Sequence, residues 1–482
     1  MVHGAAHDPR GASVMTATAA RSGDRIDGRT WRLCSVIAAG AFASGLDATI
    51  VNVGLAAIGD ALGAPLSLTQ WVASAYLLAL AVSLPLAGRL GTRWGVRRLW
   101  LTALGGFTAA SVLCAAAPTV ETLIAARVVQ GLAGGLLIPT GQTILGLAVG
   151  PERLGRVMGT LGLAVAAAPA AGGLIGGQVL AAAPWPWLFL INVPIGVAAG
   201  ALGFRLIPRF PTAPPVPLHR TGLVLITLGL PALVFAATRW GEAGRLTADV
   251  LVIGAAAIVA LGWFGAASLR TDHPLLDLRL FAAPAFRASA VGAFFAGTLI
   301  FGSGILFALY FQLGRGLSPL DAGTSLLGLA GATCVISPFT GRWVDRFGPA
   351  PVVLVGSVLA TVAVAPFAVL PADAPVCLVQ ALLAAVGASI SLVATPVTVA
   401  AYRAVSAGQL PGAITQVNIL QRIGGSLGGA LCAVLVASAA GGPAAGFHLA
   451  AIPLVVSAIG CGVAGALLYR RRGSAQDGAD GL

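Results

Sequence analysis

The chain alternates long apolar runs with short polar breaks over almost its whole length. Fourteen runs approach the roughly 20 apolar residues that a helix needs to cross the hydrocarbon core of a bilayer. The pattern therefore predicts an all-α, polytopic membrane protein with fourteen transmembrane helices, called spans 1–14. The predicted spans are residues 33–57, 70–87, 99–117, 123–147, 157–180, 187–207, 221–239, 250–269, 288–312, 322–339, 351–370, 376–401, 413–437 and 447–469.

The polar breaks carry the basic residues unevenly. All 28 basic residues are arginine; 23 fall on the side of the membrane that holds the N-terminus, 3 fall on the other side and 2 lie within spans. Loops rich in arginine stay in the cytoplasm during membrane insertion. We therefore predict a protein of the cytoplasmic (inner) membrane with both termini in the cytoplasm, which an even number of spans permits.

Two motifs occur twice in the same order. Residues 88–95 (GRLGTRWG) return as 341–348 (GRWVDRFG), and the glycine-rich residues 172–177 return as 424–429, at spacings of 253 and 252 residues. The chain is therefore a duplicated half. Because the first motif follows span 2 and returns after span 10, spans 1–6 and 9–14 are predicted as two six-helix bundles. Spans 7 and 8 are then an inserted central pair, and a binding site between the halves is typical of such repeats.

These observations divide the chain into five predicted segments. They are a cytoplasmic N-terminal tail (1–32), an N-terminal six-helix bundle (33–207), a linker with the inserted helix pair (208–287), a C-terminal six-helix bundle (288–469) and a cytoplasmic C-terminal tail (470–482).

Composition excludes several classes of function. Charged residues make up 9% of the chain and the mean hydropathy is +0.93, whereas a soluble domain carries about a quarter charged residues. The net charge of +12 sits in short breaks between apolar runs, so nucleic acid is not a predicted partner. The six cysteines and five histidines show no metal-ligand spacing, so we predict neither a metal nor a cofactor. We expect a monomer in the lipid bilayer.

Ionisable residues inside the apolar runs are the main functional candidates, because such groups are costly in a membrane and mark transport pathways or proton relays. Asp47 lies in span 1 and Arg127 in span 4, and neither is duplicated in the second half. A proton-coupling site is one interpretation; a structural hydrogen bond or ion pair is the other. Further polar candidates for a substrate cavity are Asn52, Gln130, Asn192, Asn418, Gln421 and Arg422.

The duplicated motifs suggest moving parts. The loop motif predicts gating loops after spans 2 and 10, formed by Gly88, Arg89, Thr92, Arg93 and Gly95 in the first copy and by Gly341, Arg342, Asp345, Arg346 and Gly348 in the second. Asp345 could pair with arginine or with a helix N-terminus, whereas Thr92 brings no charge. The glycine-rich segments let helices approach closely, either for packing alone or for a face that also slides.

Several of these segments resemble the major facilitator superfamily, specifically the fourteen-span drug–proton antiporters of the EmrB/QacA type. Residues 46–53 (LDATIVNV) resemble its span-1 motif and residues 123–131 (LIAARVVQG) its span-4 motif. Gly162, Pro169, Gly172 and Gly173 in span 5 resemble its antiporter motif. Three departures are Thr92, where the family has an acidic residue, Ala168, where it usually has glycine, and Pro186, where an arginine is common.

The resemblance implies a function that the pattern alone does not. It implies proton-coupled efflux of lipophilic small molecules, with Asp47 carrying the proton and Arg127 tuning it or contacting substrate. The partners would then be a small-molecule substrate and protons. A symporter or a specific metabolite exporter on the same fold remains the alternative. A membrane-embedded enzyme would need a nucleophile, metal or acid–base cluster, and the sequence offers none.

Overall fold

The structure is a computed structural model that describes residues 26–211, 220–272, 274–371, 374–439 and 443–477. Within these ranges all regular secondary structure is helical, and fourteen helices are long and apolar enough to cross a membrane, which confirms the predicted fold class. In chain order, spans 1–14 are Gly28–Leu62, Leu66–Ser83, Val96–Ala115, Val120–Val149, Leu154–Ala182, Trp187–Leu206, Arg220–Ala243, Ala248–Arg270, Pro284–Gly314, Asp321–Phe347, Pro349–Ala368, Val376–Arg403, Leu410–Ser438 and Ala445–Arg470.

Both ends of the chain are more helical than the apolar runs predict. Span 1 begins at Gly28 rather than residue 33, because Asp27 caps it and accepts a hydrogen bond from the Thr30 backbone N–H at 3.1 Å. Hydrogen bonds from the Thr30 side chain and backbone lower the pKa of the Asp27 carboxyl. The last helix continues from Pro443 to Asp477, so the predicted C-terminal tail is helical in its described part. Most of the predicted N-terminal tail lies outside the described residues.

The two copies of the gating motif are helical, not loops as the sequence predicts. The first copy forms a separate helix, Leu86–Trp94, and the second forms the last turns of the helix Leu327–Phe347 in span 10. Each copy ends at a glycine with a positive φ, 83° at Gly95 and 86° at Gly348. Residues with a side chain rarely adopt this conformation. The chain therefore turns only after the motif, and the motif side chains sit on rigid helix ends.

The two halves pack their helices in the same order. Span 1 packs against spans 4, 5 and 6, and span 9 packs against spans 12, 13 and 14. Span 4 also packs against spans 2 and 3, as span 12 does against spans 10 and 11. Every one of these contacts recurs eight spans later, as a duplicated half requires.

Spans 7 and 8 pack against each other, and span 7 also contacts span 2 of the first half and span 13 of the second. Ile226 and Leu230 of span 7 share an apolar cluster with Leu84 and Ile419. Span 8 exposes a row of large apolar side chains that suits a lipid environment, including Val252, Ile258, Val259 and Trp263. Spans 7 and 8 therefore lie beside the contact between the two halves, where span 7 packs against one helix of each half.

Candidate functional site

Asp47 and Arg127 form an ion pair inside the first half of the molecule. Arg127 Nη1 of span 4 donates to Asp47 Oδ2 of span 1, and neither side chain has any exposed surface. The two residues are 80 positions apart in the chain. A buried pair of this kind is costly to desolvate and is stable only when the remaining polar atoms also find partners.

Three neighbouring side chains supply most of those partners. Asp47 Oδ1 accepts from Asn192 Nδ2 of span 6 at 2.7 Å and from Gln130 Nε2 of span 4 at 3.0 Å. Gln130 Oε1 accepts from Arg127 Nη1 at 2.8 Å, and Gln130 Nε2 also donates to Ser111 Oγ of span 3 at 2.8 Å. These five residues, here called the ion-pair cluster, join spans 1, 3, 4 and 6. Each donor to Asp47 is an N–H group, so the arrangement matches an ionised carboxylate.

Arg127 also holds span 2. Its Nε donates to the Val72 carbonyl at 2.9 Å, and its guanidinium lies over the rings of Tyr76 at 4.1 Å and Phe189 at 5.6 Å. Within the described chain, Arg127 Nη2 and Asn192 Oδ1 are buried without a hydrogen-bond partner. Unsatisfied buried polar groups are uncommon and costly. The cluster therefore binds the Asp47 carboxylate through several donors. The donor Arg127 Nη2 and the acceptor Asn192 Oδ1 are still available for hydrogen bonds in another conformation of the cluster.

A second set of polar side chains joins the two halves. Gln142 Oε1 of span 4 accepts from Asn418 Nδ2 of span 13 at 2.8 Å and from the Tyr402 hydroxyl of span 12 at 3.3 Å. We call these three residues the seam cluster. One helical turn deeper on span 13, Arg422 is half-buried and lies over the Phe301 ring of span 9 at 5.6 Å.

A charged contact closes the halves at the face of the molecule where span 1 begins, here called the arginine-rich face. Asp345 at the end of span 10 accepts from the backbone N–H groups of Gly155 at 2.9 Å and Arg156 at 3.0 Å, at the start of span 5. Arg403 Nη2 of span 12 donates to the same carboxylate at 2.9 Å, and Arg156 Nε is 3.4 Å from it. Asp345 thus meets a helix N-terminus and two guanidinium groups, a contact called the latch below.

The first copy of the motif docks in the equivalent place with Thr92 where the second copy has Asp345. A Cβ at Gly88 would lie 2.9 Å from the Thr415 hydroxyl and 3.0 Å from the Pro411 carbonyl at the start of span 13, and a Cβ at Gly341 would lie even closer to the Gly155 carbonyl. Thr92 does not reach the other half through its hydroxyl, which donates to Arg89 O of its own helix at 2.9 Å. The two copies therefore occupy related positions, and in the part of the chain that the structure describes the second copy, through Asp345, places a carboxylate across the contact.

Arg342 and Arg346 of the second motif copy and Arg93 of the first form no ion pair with a described residue. Arg93 is exposed, and Arg342 and Arg346 lie over the rings of Phe339 and Phe347, at 5.5 and 5.1 Å.

The glycines of span 5 serve two contacts. Gly162 faces Ser337 of span 10, whereas Gly172 lies against Thr49 of span 1 with no room for a Cβ. Gly173 has open space around it, and Pro169 lies within the helix between the two contacts. In the second half the corresponding glycines of span 13 pack against span 9, as Gly424 does against Phe294. The helix of span 5 therefore contacts span 10 with one segment and span 1 with the other.

The structure groups the predicted site residues in a way that the sequence does not. Gln130 and Asn192 lie with Asp47 and Arg127 in the ion-pair cluster rather than along a separate cavity. Asn52 is exposed and belongs to neither cluster. Asn418, Gln421 and Arg422 lie together near the seam, where Gln421 Nε2 is 3.5 Å from Thr398 Oγ1. The roles of these residues remain predictions.

Sequence reasoning missed Ser111, Tyr76, Gln142, Tyr402 and Arg403. Ser111 and Tyr76 are ordinary residues of apolar helices, so no sequence signal marks them. Gln142 is an amide inside a predicted span and could have been noticed for that reason.

Comparison with known proteins decides the family. The model of the Major Facilitator Superfamily matches residues 37–429, which is most of the chain. The chain belongs to the major facilitator superfamily. This membership agrees with the duplicated six-helix arrangement described above.

Curated relatives and solved structures agree with this assignment. The chain is 32% identical over 431 residues to the multidrug resistance protein B homolog of Mycobacterium tuberculosis, covering 86% of this chain and 77% of the relative. It is 33% identical over 422 residues to the tetracenomycin C resistance and export protein of Streptomyces glaucescens, with the same coverage. The human organic anion transporter MFSD10 has the same fold, with a TM-score of 0.65, 16% identity and coverage of 90% of this chain and 99% of that one.

Proposed function

We propose that this major facilitator is a proton-coupled exporter of lipophilic small molecules. The observation that carries the proposal is the ion-pair cluster, in which the carboxylate of Asp47 is buried at the meeting point of four spans. An ionisable group so placed can link its protonation to the packing of those helices. The names of the relatives, which include resistance and export proteins for several antibiotics, support export as the direction.

The proposed mechanism begins with a proton on Asp47. Protonation removes the negative charge that attracts the Arg127 guanidinium. The protonated carboxyl now carries an O–H that needs an acceptor, whereas Arg127, Gln130 and Asn192 all donate N–H groups to Asp47 in this structure. Arg127 and Asn192 then exchange partners, and the side-chain oxygen Oδ1 of Asn192, which has no partner in the described structure, can accept the hydrogen bond from the protonated carboxyl. Spans 1, 4 and 6 shift as a result. Release of the proton restores the arrangement seen here.

The latch and the seam cluster would close the pathway on the arginine-rich face. Both consist of contacts between the halves, so both must break when the halves rock to open that face. We propose that this face is cytoplasmic, as the 23-to-3 distribution of arginines suggests. The domain division proposed above follows: two rocking six-helix bundles with spans 7 and 8 inserted between them, in a monomer of the cytoplasmic membrane.

Transport direction tests the proposal. Everted membrane vesicles from cells that express the protein should accumulate a fluorescent lipophilic probe when respiration acidifies the vesicle interior. Collapse of the pH gradient should abolish this accumulation. Vesicles with Asp47→Asn should show no gradient-driven accumulation. A proton symporter on the same fold would instead drive the probe out of these vesicles, and that result would overturn the proposed direction.

A further inference from the structure

Arg422 is an intramembrane cation that forms no ion pair with any described residue. It lies 12 residues after the start of span 13, or about 18 Å along the helix. The ion pairs found among the described residues involve Asp47, Asp345, Glu242 and Asp249, and Arg422 takes part in none of them. Its side-chain contact is the face of the Phe301 ring. An unpaired guanidinium at this depth is costly, which makes it a functional candidate.

The surroundings of Arg422 place it at the meeting point of the halves. Phe301 belongs to span 9 of the second half, and Tyr76 of span 2, in the first half, lies within electrostatic range of Arg422. Asn418 of the seam cluster precedes Arg422 by four residues and therefore lies on the same face of span 13. The seam cluster thus separates Arg422 from the arginine-rich face, and Arg422 lies just beyond this closure.

Among the described residues, no acidic side chain pairs with the Arg422 guanidinium. Asp47 has no exposed surface and is neutralised by Arg127, so it offers no free charge to a molecule between the halves. Asp60, Glu121 and Asp321 lie near helix ends on the opposite face, and Glu152 and Asp272 lie in loops on the arginine-rich face. The backbone of Asp277 contacts Gln416 of span 13, but its carboxylate accepts from the Arg279 backbone N–H at 3.1 Å. The centre of the seam therefore carries one net positive charge. A cation there would be repelled in a medium of low dielectric constant, whereas an anion would remove the cost of the unpaired guanidinium.

The neighbouring surface is apolar and aromatic. Phe301 is 42% exposed and Ile305, one turn further along span 9, is 40% exposed. A guanidinium fork matches a carboxylate through two parallel hydrogen bonds, and such an apolar wall would bind the rest of an amphipathic molecule. We propose that Arg422 is the anion-recognition group of the substrate site, and that the preferred substrates are lipophilic monoanions with one carboxylate or similarly acidic group.

This proposal rests on the proposed function, but its test measures binding rather than transport. The purified full chain in detergent is titrated with three matched fluorescent probes: pyrenebutyrate, its neutral methyl ester, and the corresponding trimethylammonium cation. The wild-type protein should bind the carboxylate most tightly. Arg422→Gln should weaken carboxylate binding by about tenfold or more and leave the ester nearly unchanged, because hydrogen bonds to charged groups are the ones lost. Arg422→Lys, which keeps the charge without the fork, should fall between.

Arg315→Gln is the matched control, because Arg315 is an arginine near the opposite face whose contacts are the Tyr310 hydroxyl at 3.3 Å and the Ala374 carbonyl. It should leave all three affinities unchanged. Tighter binding of the cation than of the carboxylate by the wild-type protein would overturn the proposal even if Arg422→Gln failed to fold. Equal weakening of carboxylate and ester would overturn it as well. Loss of proton-driven transport of every probe, with the binding pattern intact, would instead count against the proposed function.

Discussion

Replacement of Asp345 by asparagine should release the closure of the arginine-rich face. The Asp345 side chain is 4% exposed and receives two backbone N–H groups of span 5 and the guanidinium groups of Arg156 and Arg403. Asparagine has nearly the same shape but no charge, and only one of its two terminal atoms accepts hydrogen bonds. The variant should therefore favour the conformation that is open at this face.

The size of the effect follows from these contacts. A hydrogen bond to a charged group contributes about 1.5–3 kcal/mol, and asparagine preserves part of the interaction. We therefore expect a loss of about 2 kcal/mol from the closed conformation, which is a change of about thirtyfold in the equilibrium. Thr92→Ala should have almost no effect, because the Thr92 hydroxyl donates to the Arg89 carbonyl of its own helix, and a rigid movement of the halves does not break a contact within one helix.

Cysteine accessibility measures this equilibrium. Ser337 is 2% exposed and donates to the Gly159 carbonyl at 2.7 Å, so it lies between spans 10 and 5 in the closed state. Ser337→Cys in a background without the six native cysteines provides a reporter. A membrane-impermeant maleimide applied from the arginine-rich face should label it many times faster with Asp345→Asn than without it.

The comparison between the two variants decides the outcome. Equal labelling rates for the reporter with and without Asp345→Asn would show that the charged contact does not hold this face closed. Equal acceleration by Thr92→Ala would show that the two motif copies act alike, contrary to the one-sided latch seen in the structure.

Three further predictions concern charge. Arg127→Ala should impair transport more than Arg127→Lys in vesicle assays, because alanine leaves Asp47 buried without a counter-ion; an active alanine variant would contradict this. A reporter fused after Arg472 should read cytoplasmic, and a periplasmic reading would reverse the assigned topology. A bis-quaternary dye should be exported much more slowly than its mono-quaternary counterpart, because Asp47 is already paired with Arg127 and Arg422 repels each cationic group; equal rates would indicate an acidic group in the cavity beyond those of the described spans.

The fold was largely predictable, because helix number and type follow from the lengths of the apolar runs. The ends of helices were less so. Capping by Asp27 starts span 1 earlier, and the helix that carries Gly88 continues through a motif whose glycines suggest a loop. In both cases local hydrogen bonding and packing extend the helix beyond the end of the apolar run.

The candidate site was predictable as a list of residues but not as a geometry. Arg127 and Gln130 are three positions apart on one helix, so their proximity follows from helical spacing. Asn52 is five positions after Asp47, or about 140° around the helix, which explains why it lies away from the cluster. The pairing of Asp47 with Arg127 and Asn192 depends on the rotation of separate helices, and no periodicity in the sequence sets that rotation.

Coupling by Asp47 is the central claim, and purified protein in liposomes tests it most directly. Two variants are compared under an imposed pH gradient: Asp47→Asn, which cannot ionise, and Arg315→Gln, which removes a charge outside the ion-pair cluster. The account predicts that Asp47→Asn keeps exchange of labelled for unlabelled probe but loses gradient-driven accumulation, whereas Arg315→Gln keeps both. Gradient-driven accumulation by Asp47→Asn at the wild-type rate would contradict the account.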